Sequence, residues 1–97
     1  MLGILVTRHQ HRDDLLGVAL AARKAGHAVA VFLNDEGVRF TLDPQFLEAL
    51  KAAGVELSLC DHSCEQLGIT ERAEGIIYGS QYNHAMMLHD SARVLVF

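Results

Sequence analysis

Cys60 and Cys64, together with His9, His11 and His62, are the residues of this sequence whose types and spacing could do chemistry. Cys60 closes the apolar run GVELSLC and stands directly before Asp61-His62-Ser63, which reads as a helix start. A thiol at a strand-to-helix turn meets the positive end of the helix and loses its proton more easily there. The thiolate is the nucleophilic form. A protonated His62 would favour it further, and Asp61 would oppose it. The competing reading is packing, because free cysteine is among the most buried residue types. Position alone leaves both readings open.

Cys64 follows four residues later, so it can share a helical face with Cys60. It could serve as a resolving thiol or a second sulfur acceptor, or it could pack beside Leu67. A disulfide between the two would need Cβ atoms within about 4.5 Å, which a regular helical turn does not readily give. His9 and His11 bracket Gln10 in the first polar loop. With His62 and the cysteines they make up a zinc-type donor set. No CxxC or HExxH spacing accompanies them, so the ligands would have to converge from separate loops. The sequence therefore predicts no resident metal or cofactor, with a Cys/His metal protein as the lesser alternative. His84 and His89 read as surface or interface residues and His27 as a turn residue.

Alternating strand and helix signals must position these groups. Leu2 to Val6 is an apolar run ending in TRHQHRDD, without the GxGxxG or GxxxxGK[ST] spacing of nucleotide sites. No GxSxG elbow occurs either. Asp13 and Asp14 begin a helix with Leu15, Val18, Ala19 and Ala22 at helical spacing, closing near Gly26. Ala28 to Leu33 is a second buried strand, ended by NDEG; residues 38–42 give no pattern. Asp43-Pro44 is an N-cap followed by proline at the first helical position. That helix carries Phe46, Leu47 and Leu50 and stops at Gly54.

Val55 to Leu59 is the third strand, with Cys60 as its last residue. A short helix to Leu67 follows, with Asp61 or Ser63 as its cap. Ile76 to Tyr78 is a fourth strand. Gly79-Ser80 opens a helix with Ala85, Leu88 and Ala92 on one face, and Arg93 to Phe97 is the fifth strand. This alternation predicts a single α/β domain over residues 1–97: a three-layer α/β/α sandwich with a five-stranded parallel sheet. Sites in such sheets lie beyond the carboxyl ends of the strands. Here that edge comprises loops 7–12, 34–42, 60–63 and 79–82.

Bulk properties narrow the partners. The chain has 97 residues, 51% hydrophobic and 21% charged, which excludes a disordered chain. The apolar share, with Met86 and Met87 on the last helix, suits subunit packing. Eight basic residues against twelve acidic ones give a net charge of −4. The basic residues are scattered, so neither nucleic acid nor an anionic membrane is an expected partner. No apolar run approaches the roughly 20 residues of a membrane span. The opening residues do not read as a signal peptide, and two cysteines are too few for a disulfide-stapled secreted fold. A cytoplasmic protein is expected.

Four segments resemble the DsrE/DsrF-like family: LGILVT, HAVAVFLNDEGV, GVELSLC and GSQYNHAMMLHDSARVLVF. The resemblance covers nearly the whole chain. It implies a parallel-sheet fold and oligomers, here a homotrimer or homohexamer. In sulfur-relay members, the cysteine ending this strand accepts sulfane sulfur as a persulfide and passes it to a partner. Cys60 matches that position, and Cys64 has no dependable counterpart. The expectation is a sulfur carrier or sulfurtransferase-like protein using Cys60, supported by His62, His9, His11 or Cys64, with donor and acceptor proteins as partners. The alternative is a non-catalytic oligomeric binding module.

Overall fold

The structure, a computed structural model, describes residues 1–97. Five strands alternate with helices: β1 (Leu2–Val6), α1 (Arg12–Lys24), β2 (Val29–Leu33), a 3-10 helix (Asp35–Leu42), α2 (Pro44–Ala52), β3 (Glu56–Cys60), α3 (Asp61–Gln66), β4 (Ile77–Gly79), α4 (Gln81–Asp90) and β5 (Arg93–Val96). The strands form one parallel sheet in the order β4-β3-β2-β1-β5. The expected α/β/α sandwich with a five-stranded parallel sheet is therefore observed. The residues at 38–42, which carry no periodic signal, are the second half of the 3-10 helix.

Chain direction explains why the two outer layers are unequal. From β1 to β4 the chain steps one strand at a time toward the same edge. Right-handed crossovers put all the helices of those steps on one face. From β4 it returns past β3, β2 and β1 to reach β5 on the far edge. The same handedness now puts α4 on the opposite face. The cores follow this division. On the first face Ile4, Val31, Leu33 and Leu59 pack against Leu15, Phe40, Phe46 and Leu50. On the other, Ala30, Phe32 and Cys60 pack against Met87 of α4. Every residue of β2 is buried, as suits a central strand covered on both sides.

The last helix presents a different face to the sheet from the one its spacing suggested. Met87 is its buried residue, whereas Ala85 and Leu88 are exposed. Asn83 and His84 lie within about a turn of Met87 and share the sheetward side. A polar pair thus takes inward positions that a hydrophobic pattern would not assign to it. Met87 is correspondingly core, and Met86 is the methionine left 39% exposed.

Asp43 joins the first two helices. Its carboxylate caps α2 by accepting from the Phe46 amide at 3.1 Å, and it accepts from Arg12 Nε of α1 at 2.6 Å. The Arg12 hydrogen bond holds this carboxyl below the ordinary carboxylate range, against the opposing effect of burial. Asp43→Ala is expected to cost about 1–2 kcal/mol, the usual worth of a helix cap, read as a lower urea midpoint. A depressed carboxyl contributes stability above its unfolded-state pKa and loses it as pH falls through the folded-state value. The gap between wild type and Asp43→Ala should therefore persist at neutral pH and close only in acid.

Candidate functional site

β3 hands the chain to α3 on the main-core face, and β4 hands it to α4 on the opposite face. These diverging connections leave a crevice beyond the carboxyl ends, where doubly wound sheets bind ligands. An open cleft of about 430 Å³ lies there, with Asn34, Cys60, His62, Ser63, Gln81 and Tyr82 in its wall. Gly79 lets one wall close against α4, since a Cβ there would lie 2.0 Å from Asn83 Oδ1. In the neighbouring 3-10 helix, a Cβ on Gly37 would lie 2.2 Å from the Val6 carbonyl oxygen. Asn83 Oδ1 accepts from the Ser80 amide at 3.0 Å and the Ser80 hydroxyl accepts from the Tyr82 amide at 3.2 Å. This reciprocal cap fixes the start of α4 over the cleft.

Cys60 ends β3 opposite Gly79 of β4 and is the N-cap residue of α3. It is 5% exposed and unbonded to another cysteine. Burial pushes its thiol up, but the donors facing it prevail and hold it below the ordinary thiol range. These are the Ser63 and His62 amides and the Gln81 side-chain amide, with the Ser63 oxygen beside them and its one hydrogen directed to Asn34. The two backbone donors follow from position, since the amides of the first helical turn have no partner within the helix. Asp61, which the sequence sets against a thiolate, is engaged by Arg72 at 2.7 and 3.1 Å. Arg72 also lies over the Tyr78 ring, 4.3 Å from its centroid.

A polar network closes the back of the cleft. Asn34 Oδ1 accepts from Gln81 Nε2 at 3.1 Å and from the Ser63 hydroxyl at 3.3 Å. The Ser63 oxygen accepts from the Asp35 amide at 3.1 Å. Asp35 holds a left-handed backbone, φ 47°, which aspartate tolerates better than most residues. Gln81 Oε1 meets His84 Nδ1 at 3.0 Å, and the His84 ring stacks on Phe32 with centroids 5.2 Å apart.

The other residues singled out by sequence are placed as follows. His62 lines the cleft, with its exposed imidazole 3.7 Å from Glu65. Cys64 is 1% exposed and belongs to the main core, not to the cluster holding Cys60. Burial, with Asp61 adding to it, pushes the Cys64 thiol up. His11 is exposed at the start of α1, in a left-handed conformation. His9 packs edge-on against Phe40 and borders a separate cleft of about 850 Å³ with Arg39, Leu42 and Asp43. That larger cleft contains no thiol, and its Arg39 and Asp43 are paired with Glu36 and Arg12. No three His, Cys, Asp or Glu side chains are grouped so that they could hold a metal ion.

The model of the DsrE/DsrF-like family matches residues 2–97. The chain belongs to the DsrE/DsrF-like family. Its fold is similar to that of the ychN protein from E. coli, seen in a crystal structure with a TM-score of 0.85 and 22% sequence identity. The alignment covers 99% of this chain and 97% of that one. No curated protein matches the sequence. No helix of this DsrE/DsrF-like chain is long and apolar enough to cross a membrane.

Asn34, Ser63, Gln81 and His84 are the site residues that sequence reasoning did not assign to the site. Ser63 reads there as a cap, whereas Cys60 holds the cap position and Ser63 lies inside the helix, 3% exposed. Asn34 and Gln81 stand in the two edge loops named from the strand pattern. Nothing local pairs them across 47 residues. His84 reads as a surface or interface residue, and within the chain it is half-buried on Phe32.

Proposed function

We propose that this protein is a sulfur carrier of the sulfurtransferase type, with Cys60 as the residue that takes up sulfane sulfur. One observation carries the reading: a thiol held below its ordinary range sits in an open polar cleft at the sheet's switch point. The Cys60 thiolate attacks the outer sulfur of a donor persulfide. The donor's S–S bond breaks, its inner sulfur leaves as a thiolate with the electron pair, and Cys60 becomes the persulfide. An acceptor thiolate then attacks that outer sulfur and regenerates the Cys60 thiolate. Neither step needs an oxidant or a reductant.

The donors around Cys60 favour the thiolate as nucleophile and again as leaving group. His62 stands at the rim, where it can meet the charge of an incoming partner. Donor and acceptor proteins are the partners this chemistry calls for, and a reducing cytoplasm is the compartment that keeps Cys60 as a thiol. Self-association into a trimer or hexamer belongs to the same reading. Its support is the apolar surface left by Tyr82, Met86 and Leu88 of α4 and Val96 of β5, at 69%, 39%, 45% and 64% exposure.

Intact-mass analysis after incubation with a persulfide donor tests the proposal. One added sulfur per chain is expected, removable by excess acceptor thiol. A protein that gains no sulfur would sink it.

A further inference from the structure

We propose that His84 is a positioning residue for Cys60: its Nδ1–H fixes the Gln81 side chain so that the amide nitrogen, not the carbonyl oxygen, faces the sulfur. The inference rests on the reading of Cys60 as the sulfur-accepting thiol.

A glutamine side chain offers two donors at one end and only acceptors at the other. Which end faces Cys60 is set by what the remaining atoms bond. Gln81 Oε1 lies 3.0 Å from His84 Nδ1 and can only accept, so that nitrogen carries a proton. Gln81 Nε2 donates one hydrogen to Asn34 Oδ1 at 3.1 Å, which leaves the other for the cleft wall that holds Cys60. Asn34 Oδ1 is an acceptor here because the Ser63 hydroxyl also donates to it, while the Ser63 oxygen accepts the Asp35 amide. Two arms, one from His84 through Gln81 and one from Asp35 through Ser63, thus converge as donors on Asn34 Oδ1.

Reversing Gln81 would set its oxygen against Asn34 Oδ1 and turn a negative dipole toward the sulfur. The reversed arrangement requires His84 to accept at Nδ1. Stacking on the fully buried Phe32, with 17° between ring planes, keeps the imidazole edge aimed at Gln81. His84 touches neither the sulfur nor a substrate in this scheme, and it acts through Gln81. The other titratable groups around Cys60 are Asp35, His62 and Tyr82 in the cleft and, on α3, Cys64 and Asp61, the latter paired with Arg72.

The test follows Cys60 ionisation by thiolate absorbance and by peptide-resolved alkylation rates across pH. His84→Phe keeps a ring for Phe32 and removes the donor. The Cys60 midpoint should rise by about one pH unit, so that alkylation at a fixed pH below it slows about tenfold. His84→Asn places an amide nitrogen near the Nδ1 position and should keep the midpoint close to wild type. An unmoved midpoint in His84→Phe overturns the proposal, and so does an equal rise in His84→Asn, which would mark a merely structural role. If His84→Phe does not fold, Gln81→Met is read in its place: the same rise supports the proposal and no rise overturns it. Failure of sulfur uptake with the midpoint shifts intact would instead count against the carrier reading alone.

Discussion

Gly37→Ala is expected to lower the melting temperature by roughly 12–24 °C. The added Cβ would sit 2.2 Å from the Val6 carbonyl oxygen and 2.8 Å from its carbon. Both are backbone atoms of a strand in the interior of the sheet, so no side-chain rotation relieves the contact. The opposing chain cannot easily withdraw either. Asn34 donates its amide to that same Val6 oxygen at 2.8 Å, and the Gly37 amide donates to the Asn34 carbonyl at 2.8 Å. Moving the 3-10 helix away breaks the anchor of the loop. Overpacking typically costs about 1–3 kcal/mol, and the rigid neighbour puts this case near the top of that range. Each kcal/mol shifts the midpoint of a domain this size by about 4–8 °C. Because Asn34 is the hub of the cleft's network, Cys60 alkylation should slow in the same variant. A thermal melt superimposable on wild type would contradict the packing argument.

The two cysteines are expected to fail in opposite ways. Cys64→Ser puts a polar hydroxyl into the main core that holds Leu59 and Leu67. An unsatisfied buried polar group costs about 1–3 kcal/mol, and sulfur uptake should survive at temperatures where the variant is folded. Cys60→Ser leaves an oxygen that the surrounding donors can still reach, so the fold should hold while uptake disappears. Chemical denaturation and mass analysis on the two variants read both halves. Loss of uptake in Cys64→Ser, with the fold intact, would return that thiol to the mechanism.

This division was only half legible in the sequence. GVELSLC followed by DHSC places a thiol at a strand-to-helix turn, and the alternation of elements marks that turn as part of the functional edge. The helical spacing of Cys60 and Cys64 suggested a shared face. It failed because Cys60 precedes the helix as its cap, with an extended backbone, φ −87° and ψ 109°. The helical periodicity does not extend back to it. The two sulfurs consequently enter different clusters.

The strands were legible because a buried parallel sheet demands continuous apolar runs. The placement of α4 was not, since it depends on a return connection whose strand order no local pattern carries. The same long-range geometry hides the site's polar half. Asn34, Ser63, Gln81 and His84 come from three separate segments, and only the fold makes them one network. The histidines that drew notice beside Cys60 in the sequence are mostly elsewhere. His9 faces Phe40 and His11 faces solvent, because the β1 loop leads to α1 on the main-core side, away from the β3–β4 crevice.

The measurement that bears most directly on the account is peptide-level mapping of sulfur after loading with a persulfide donor. The account predicts one added sulfur on the peptide carrying Cys60, with Cys64 distinguished from it by fragment ions and left unmodified. Sulfur found on Cys64, or none on Cys60 in the folded wild-type protein, would contradict it.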